Sequence, residues 1–366
     1  MARRALPDRP RPPLQHPARV LASQLREAAP RVVWHALHPA CREPLRESAP
    51  PEVDRLSWEA RDGWRGTIRH VAAAPGAPSE PVVLLHTLGL GPDVFRVGGE
   101  RSLVAALRAR GFACYLPSVR GDRESGGPGG AVGFDGVATL DLPAIVAQVR
   151  AHAGADRVLV VGHGLGALAA LTWIATVGDD AVAAMVALAA PIAFPTMSPL
   201  LRAGLRAVAR ARPDLGIPVR GVAQLAALLE EPAGLDRRTA LMVAAEDVPV
   251  GVLEQLVTWC AEGALVDASG TRELGLALGR CRAPLLVGAA PNDPWCPVER
   301  ARPLVDLWPG AAWLALPEGC GHLDLLLHPG SPGAVHAPVA AWLDGRRARV
   351  WRAADEDVGS RRAQSA

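Results

Sequence analysis

The sequence predicts an α/β protein with a mostly parallel sheet that is covered by helices on both faces. One observation is the alternation of short apolar runs with helical patterns, because parallel strands need helical crossovers between them. The runs are residues 81–86, 112–117, 158–161 and 182–189. A second observation is the stretch 158–170, VLVVGHGLGALAA, where an apolar strand meets glycines at 162, 164 and 166 and continues as an uncharged helical pattern.

Length, net charge and cysteine spacing exclude several classes of protein. The 366 residues suffice for one large domain with an insertion or for two domains, and the net charge of +2 without a long basic block argues against a nucleic-acid partner. The six cysteines form no C-x-x-C pair, which favours reduced thiols and a cytoplasmic location. The uncharged run 158–177 approaches the length of a membrane span, but its internal glycines favour a buried strand and helix, so we expect no transmembrane segment. The oligomeric state stays open.

The elements before the central stretch follow from local signals. We expect a poorly ordered Pro/Arg-rich arm over residues 1–50, and a hairpin over 56–74 that turns at Asp62-Gly63. The strand 81–86 leads into a glycine-containing loop. A helical pattern over 102–110 stops at Gly111, and a helix over 141–153 precedes the central strand.

The second half of the chain suggests an insertion. Residues 195–281 read as a helical cap, with helices over 198–211, 222–231 and 252–260, and such caps typically shape a substrate pocket. The core would comprise 55–194 and 282–347, with strands over 283–289 and 312–316 and a closing helix over 334–343. A charged tail, 348–366, follows.

The central turn has the frame G-x-S-x-G, a strained bend that lifts a serine above the sheet edge, but Gly164 stands at the serine position. Asp293 follows the strand 283–289, and His322 follows the last strand. Ligand sites of open α/β sheets lie beyond the carboxyl ends of the strands, so these three residues should converge there. Their order along the chain, nucleophile, acid and histidine, is the order for this frame.

The motifs HTLGLG, GHGLGA, NDPWCP and CGHLD, in that order, resemble the α/β-hydrolase family over residues 56–343. Within this family, the chain resembles the lipase-like and polyhydroxyalkanoate-synthase-like branch. The resemblance rests on Ser102-Leu103, the DLP of 141–143, and GHLDLL with a closing AAWL helix. The resemblance implies His322 and Asp293 as catalytic residues, Gly164 as a vacant nucleophile position, and an oxyanion hole from the backbone amides of Thr87 and Leu165. Thr87 departs from the family too, because many relatives have glycine there.

A glycine at the elbow excludes acyl-enzyme chemistry at that position, because no side chain can attack. The His322 and Asp293 pair could still activate water, with a residual acceleration of about 10³–10⁴-fold. We therefore expect a degenerate (pseudo)hydrolase that binds an apolar or acyl small molecule with little or no turnover and needs no cofactor. The alternative is an active esterase-like hydrolase or acyltransferase that uses His-activated water or another nucleophile. Gly164→Ser should then place a hydroxyl near His322.

Other interpretations of these residues stay open. The string GHGLGA also fits the dinucleotide fingerprint G-x-G-x-x-G/A, although the next strand ends at Leu188 without the acidic residue that this site needs. Asp293, in NDP, is also typical of a plain turn. Cys296 and Cys320 accompany the acid and the histidine, but this spacing is weak evidence for zinc, and we expect no metal. His163 is expected to pack rather than to catalyse.

Overall fold

The computed structural model describes residues 53–347 except 78, 88, 130–131, 196–197, 200–202, 205, 208–215, 218–243, 268–269 and 271–272. The expected arm and tail lie outside these residues, as do the expected helix 222–231 and most of 198–211. The third expected cap helix lies within them, over Val250–Glu262.

A mixed sheet forms the centre of the described region. Its strands run in the order β1-β2-β4-β3-β6-β7-β10-β11, with β5 beside β2, and every neighbouring pair from β4 to β11 is parallel. Strands β1, β2 and β5 pair antiparallel at one edge, and β8 with β9 forms a separate antiparallel pair. The strands are β1 (Asp54–Glu59), β2 (Arg65–Val71), β3 (Glu80–Leu85), β4 (Phe112–Pro117), β5 (Ser125–Gly126), β6 (Val158–His163), β7 (Val182–Leu188), β8 (Gly216–Ile217), β9 (Val248–Pro249), β10 (Leu285–Gly288) and β11 (Ala312–Leu314).

Helices connect the parallel strands, as the alternation predicted. The α-helices are α1 (Leu103–Ala109), α2 (Phe134–Gly136), α3 (Leu142–Ala153), α4 (Leu165–Val177), α5 (Val250–Glu262), α6 (Gly275–Leu278), α7 (Val298–Ala301), α8 (Pro303–Leu307), α9 (Asp324–Leu327) and α10 (Ala337–Asp344). Short 3₁₀ helices span Pro92–Arg96 and Gly99–Arg101, and π turns span Val137–Asp141 and Pro332–His336. No helix in the described part of the chain combines the length and hydropathy needed to cross a bilayer.

Burial explains why the central strands are mostly apolar. Every residue of β3, β4, β6, β7 and β10 is buried, as expected for strands covered on both faces. The predicted hairpin is confirmed as β1 and β2 around Gly63, whose φ is 85°. The α/β class predicted from the sequence is therefore correct, with antiparallel pairing at one edge.

Gly166 sets the distance between the central helix and the neighbouring strand. A Cβ at this position would lie 2.4 Å from the carbonyl oxygens of Leu85 and His86. Only a glycine lets the first turn of α4 approach the end of β3 this closely. The loop after β3, which contains His86 and Thr87, is thereby placed beside the central turn.

Candidate active site

The turn between β6 and α4 is a tight strand-to-helix bend with Gly164 between the two elements. Gly164 has φ 54° and ψ −120°, a conformation that strains a residue with a Cβ. Its N–H donates to the carbonyl of Leu188 at 2.8 Å, and its own carbonyl accepts from Leu168 N–H at 3.1 Å. The bend is therefore fixed on both sides without a side chain.

Asp293 and His322 meet, as the sequence order predicted. Asp293 follows β10, His322 lies between β11 and α9, and His322 Nδ1 donates to Asp293 Oδ2 at 2.7 Å. The other carboxylate oxygen accepts from the amides of Trp295 and Cys296 at 2.8 and 2.9 Å. Burial alone would raise the pKa of Asp293, but these hydrogen bonds and His322 hold it below its ordinary value. The carboxylate is ionised, so it keeps the proton on Nδ1 and leaves Nε2 as an acceptor.

His163 packs against the imidazole of His322. The two ring centroids lie 4.5 Å apart, and His163 Nε2 donates to the carbonyl of His322 at 3.1 Å. The side chain is fully buried, and burial together with the neighbouring His322 lowers the pKa of His163 to about 3. His163 is therefore a neutral packing residue, consistent with its expected role.

The side chain of Thr87 occupies the space in front of Gly164. A Cβ at position 164 would lie 2.1 Å from Thr87 Oγ1, 2.9 Å from Thr87 Cβ and 3.1 Å from His322 Nε2. Thr87 Oγ1 itself lies 3.3 Å from His322 Nε2 and is that nitrogen's hydrogen-bond partner. Sequence reasoning considered only the backbone of Thr87. It therefore missed that Gly164→Ser alone would drive a side chain into this threonine.

The family of the chain follows from a comparison with known proteins. The family model described as alpha/beta hydrolase fold matches residues 80–329. The chain belongs to this family. The pattern of this family has a nucleophile elbow at such a turn rather than a dinucleotide site, and this assignment of Gly164 stays a prediction.

Solved structures share the fold at low sequence identity. A thermophilic esterase from Thermogutta terrifontis is 16% identical with a TM-score of 0.56, covering 80% of this chain and 99% of that chain. A monoacylglycerol lipase from Paleococcus ferrophilus is 18% identical (TM-score 0.54; 81% and 99% covered), and carboxylesterase CesB from Bacillus subtilis is 17% identical (0.53; 88% and 99%). A search of curated proteins finds no match.

The two residues expected to form an oxyanion hole both adjoin Gly164 in this hydrolase fold. Leu165 is the first residue of α4, where a backbone N–H has no acceptor within the helix. Thr87 reaches Gly164 through its side chain, and its carbonyl accepts from Leu90 N–H at 3.3 Å. Their role in binding an oxyanion stays a prediction.

A second histidine and aspartate pair anchors the Thr87 loop. His86 Nε2 donates to Asp122 Oδ2 at 2.9 Å, and His86 Nδ1 donates to the carbonyl of Thr87 at 3.2 Å. Burial would lower the pKa of His86, but Asp122 and the Thr87 carbonyl raise it above its ordinary value. The loop is thus tied to the segment after β4 by a charge-assisted hydrogen bond.

A small cavity of about 60 Å³ adjoins Thr87 and Leu165. The residues that line it include the ionisable His86, Arg120, Asp122, Glu246 and Asp247. Glu246 also accepts from Arg123 Nε at 2.8 Å, which joins the segment before α5 to the loop after β4. The apolar part of the wall is formed by Leu85, Leu90, Phe134, Val137, Leu142 and Val252.

The cysteines beside the acid and the histidine are buried thiols without a disulfide. Burial and the nearby Asp293 raise the pKa of Cys296, so this thiol is not an activated nucleophile. Among the residues that the structure describes, no three His, Cys, Asp or Glu side chains come together as metal ligands would.

Proposed function

We propose that this protein hydrolyses the ester bond of a small acyl compound at a low rate, with His322 as general base and Asp293 as its orienting partner. The observation that carries the proposal is the dyad itself, with Nδ1 and Oδ2 2.7 Å apart and Nε2 beside the elbow, 3.3 Å from Thr87 Oγ1. Burying the carboxylate of Asp293 costs desolvation free energy, so a mere packing role is served as well by apolar side chains. A histidine whose Nε2 faces a reaction site gives this buried carboxylate a role beyond packing.

The acyl class of ligand rests on chemistry and size. Two backbone amides at an elbow suit the developing negative charge of an ester or thioester carbonyl. The cavity beside Thr87 is about 60 Å³, smaller than the roughly 150 Å³ of an engineered cavity that binds benzene, which favours a short acyl group. The motif resemblance to the lipase-like and polyhydroxyalkanoate-synthase-like branch, and solved structures named as esterases and a lipase, support an ester substrate.

The second candidate is a pseudoenzyme that binds the same acyl ligand without turnover. The specific observation in its favour is Gly164, which removes the elbow nucleophile, together with a Thr87 side chain that is only 6% exposed. In this alternative the threonine merely fills the space and the dyad holds the ligand by hydrogen bonds.

Hydrolysis of p-nitrophenyl acetate by purified protein separates the two candidates. We expect a rate above the buffer background that falls to background in His322→Gln and is unchanged in His328→Gln, a matched substitution at an exposed histidine. Equal rates in the wild type and in His322→Gln would refute catalysis. Calorimetric titration with short-chain carboxylates would then test binding alone.

A further inference from the structure

We infer that the hydroxyl of Thr87 is the nucleophile of this site, displaced from the elbow to the neighbouring loop. The inference rests on the proposed ester hydrolysis and names the group that attacks. The hydroxyl of Thr87 lies close both to the elbow and to the imidazole of His322. Thr87 Oγ1 lies 2.1 Å from where the Cβ of a residue at 164 would be, and it is the partner of His322 Nε2 at 3.3 Å.

The two departures from the family pattern compensate each other in space. Relatives place a serine at the elbow and often a glycine in the loop, whereas this chain has Gly164 at the elbow and Thr87 in the loop. Both arrangements put one hydroxyl between the elbow and the imidazole. In this chain the hydroxyl of Thr87, rather than its methyl group, faces Nε2, and that orientation is what general-base activation needs.

The surrounding bonds fix the threonine in place. Its carbonyl accepts from His86 Nδ1 and from Leu90 N–H, and His86 is held in turn by Asp122. A nucleophile held by its own backbone loses little freedom when the ester binds. The separation of 3.3 Å is long for a catalytic hydrogen bond, but such bonds tighten when the substrate binds.

The reaction balances with water as the only co-reactant. Thr87 Oγ1 attacks the ester carbonyl carbon while its proton moves to His322 Nε2, and the carbonyl oxygen becomes an alkoxide near Leu165 N–H. The alkoxide collapses, the bond to the alcohol oxygen breaks, and the alcohol leaves with the proton from Nε2. Water then loses a proton to Nε2 and attacks the threonyl ester, which releases the carboxylic acid and returns the proton to Oγ1.

Trapping the acyl-enzyme tests the inference directly. Wild-type protein is mixed with p-nitrophenyl acetate, quenched in acid and mapped by peptide mass spectrometry. We expect one acetyl group on the peptide that contains Thr87, and a fluorophosphonate probe should label the same residue. His322→Gln should abolish both labels. An acetyl group only on another residue, or no covalent adduct in a protein that turns over, would overturn the inference.

Variants supply the second readout. Thr87→Val keeps the shape but lacks the hydroxyl, and it should lose about 100-fold or more in hydrolysis rate. Thr87→Ser should retain both hydrolysis and the acetyl adduct. Thr176→Val is the matched control, because the hydroxyl of Thr176 bonds only within α4, at the end remote from the elbow, and this variant should be unchanged. Urea unfolding shows whether each variant is folded.

The outcomes for the two proposals differ. Full activity in folded Thr87→Val, with loss in His322→Gln, would overturn the threonine nucleophile and leave ester hydrolysis by His-activated water. A folded wild type without any ester hydrolysis would overturn both. Loss of the adduct in Thr87→Val with its retention in Thr87→Ser would support both.

Discussion

Moving the hydroxyl back to the elbow is the sharpest test of the geometry. In Gly164→Ser alone, the new Cβ would lie 2.1 Å from Thr87 Oγ1 and 2.9 Å from Thr87 Cβ, both far inside van der Waals contact. Overpacking of this kind costs about 1–3 kcal/mol. The backbone at φ 54° and ψ −120° adds about 1–3 kcal/mol of strain for any residue with a Cβ. The free energy of unfolding should therefore fall by about 2–6 kcal/mol.

Removing the threonine side chain as well should relieve the collision but not the strain. We expect Thr87→Gly with Gly164→Ser to be more stable than the sum of the two single variants implies, by about 1–3 kcal/mol. The double variant combines a glycine in the loop with a serine at the elbow, beside His322 Nε2. It should hydrolyse p-nitrophenyl acetate and be labelled at position 164, whereas Thr87→Gly alone should be inactive.

Urea unfolding of the wild type, both single variants and the double variant gives the coupling energy, and ester hydrolysis gives the activity. Gly164→Ala is the matched control, since it brings the same Cβ without a hydroxyl. It should show the same stability loss, and no activity when combined with Thr87→Gly. If Gly164→Ser is as stable as the wild type, or if the two substitutions add without coupling, Thr87 does not occupy the space in front of the elbow.

Three further predictions follow from the site and its supports. Asp293→Asn should lower ester hydrolysis by up to about 10⁴-fold in a folded protein, because an amide lets the proton move from Nδ1 to Nε2 of His322; an unchanged rate would refute the dyad. The pKa of His163 is 6.5 in the unfolded chain and about 3 in the folded protein. Between these pH values the unfolded chain therefore binds one proton more than the folded protein. The free energy of unfolding should therefore drop by about 2 kcal/mol from pH 6.5 to 5, less steeply in His163→Gln; equal slopes in urea unfolding would contradict this. Gly166→Ala should cost about 3 kcal/mol or more, since its Cβ meets two carbonyl oxygens at 2.4 Å, whereas Gly333→Ala, with nothing within 4 Å, should change stability by no more than about 1 kcal/mol; similar melting temperatures would refute the close approach.

The sequence predicts the sheet, the elbow and the dyad because each depends on local pattern and chain order. Apolar runs identify buried strands, and the rule that sites lie at strand carboxyl ends brings Asp293 and His322 to the elbow. The sequence pattern does not predict that the side chain of Thr87 meets His322. The bond from its hydroxyl to His322 joins residues 235 positions apart, and nothing in the pattern says which face of a loop residue meets the imidazole.

The start of α3 shows the same limit on a smaller scale. The pattern predicts a helix over 141–153, and α3 begins at Leu142, one residue later. The pattern does not predict that the carboxylate of Asp141 accepts from the amide, Nε and Nη2 of the buried Arg120. It also does not predict the helical turns that precede α3 from Phe134 onward.

The pairing of β7 with β10 divides the site between two parts of the chain that are made at different times. The elbow and Thr87 emerge from the ribosome well before β10 and β11 and before Asp293 and His322, which lie in the loops after these strands. The base can reach the hydroxyl only after the last two strands have joined the sheet. In the mechanism proposed above, activity therefore requires the last two strands, and a chain truncated before β10 would keep the bend and the threonine while lacking His322, the group proposed to activate the hydroxyl.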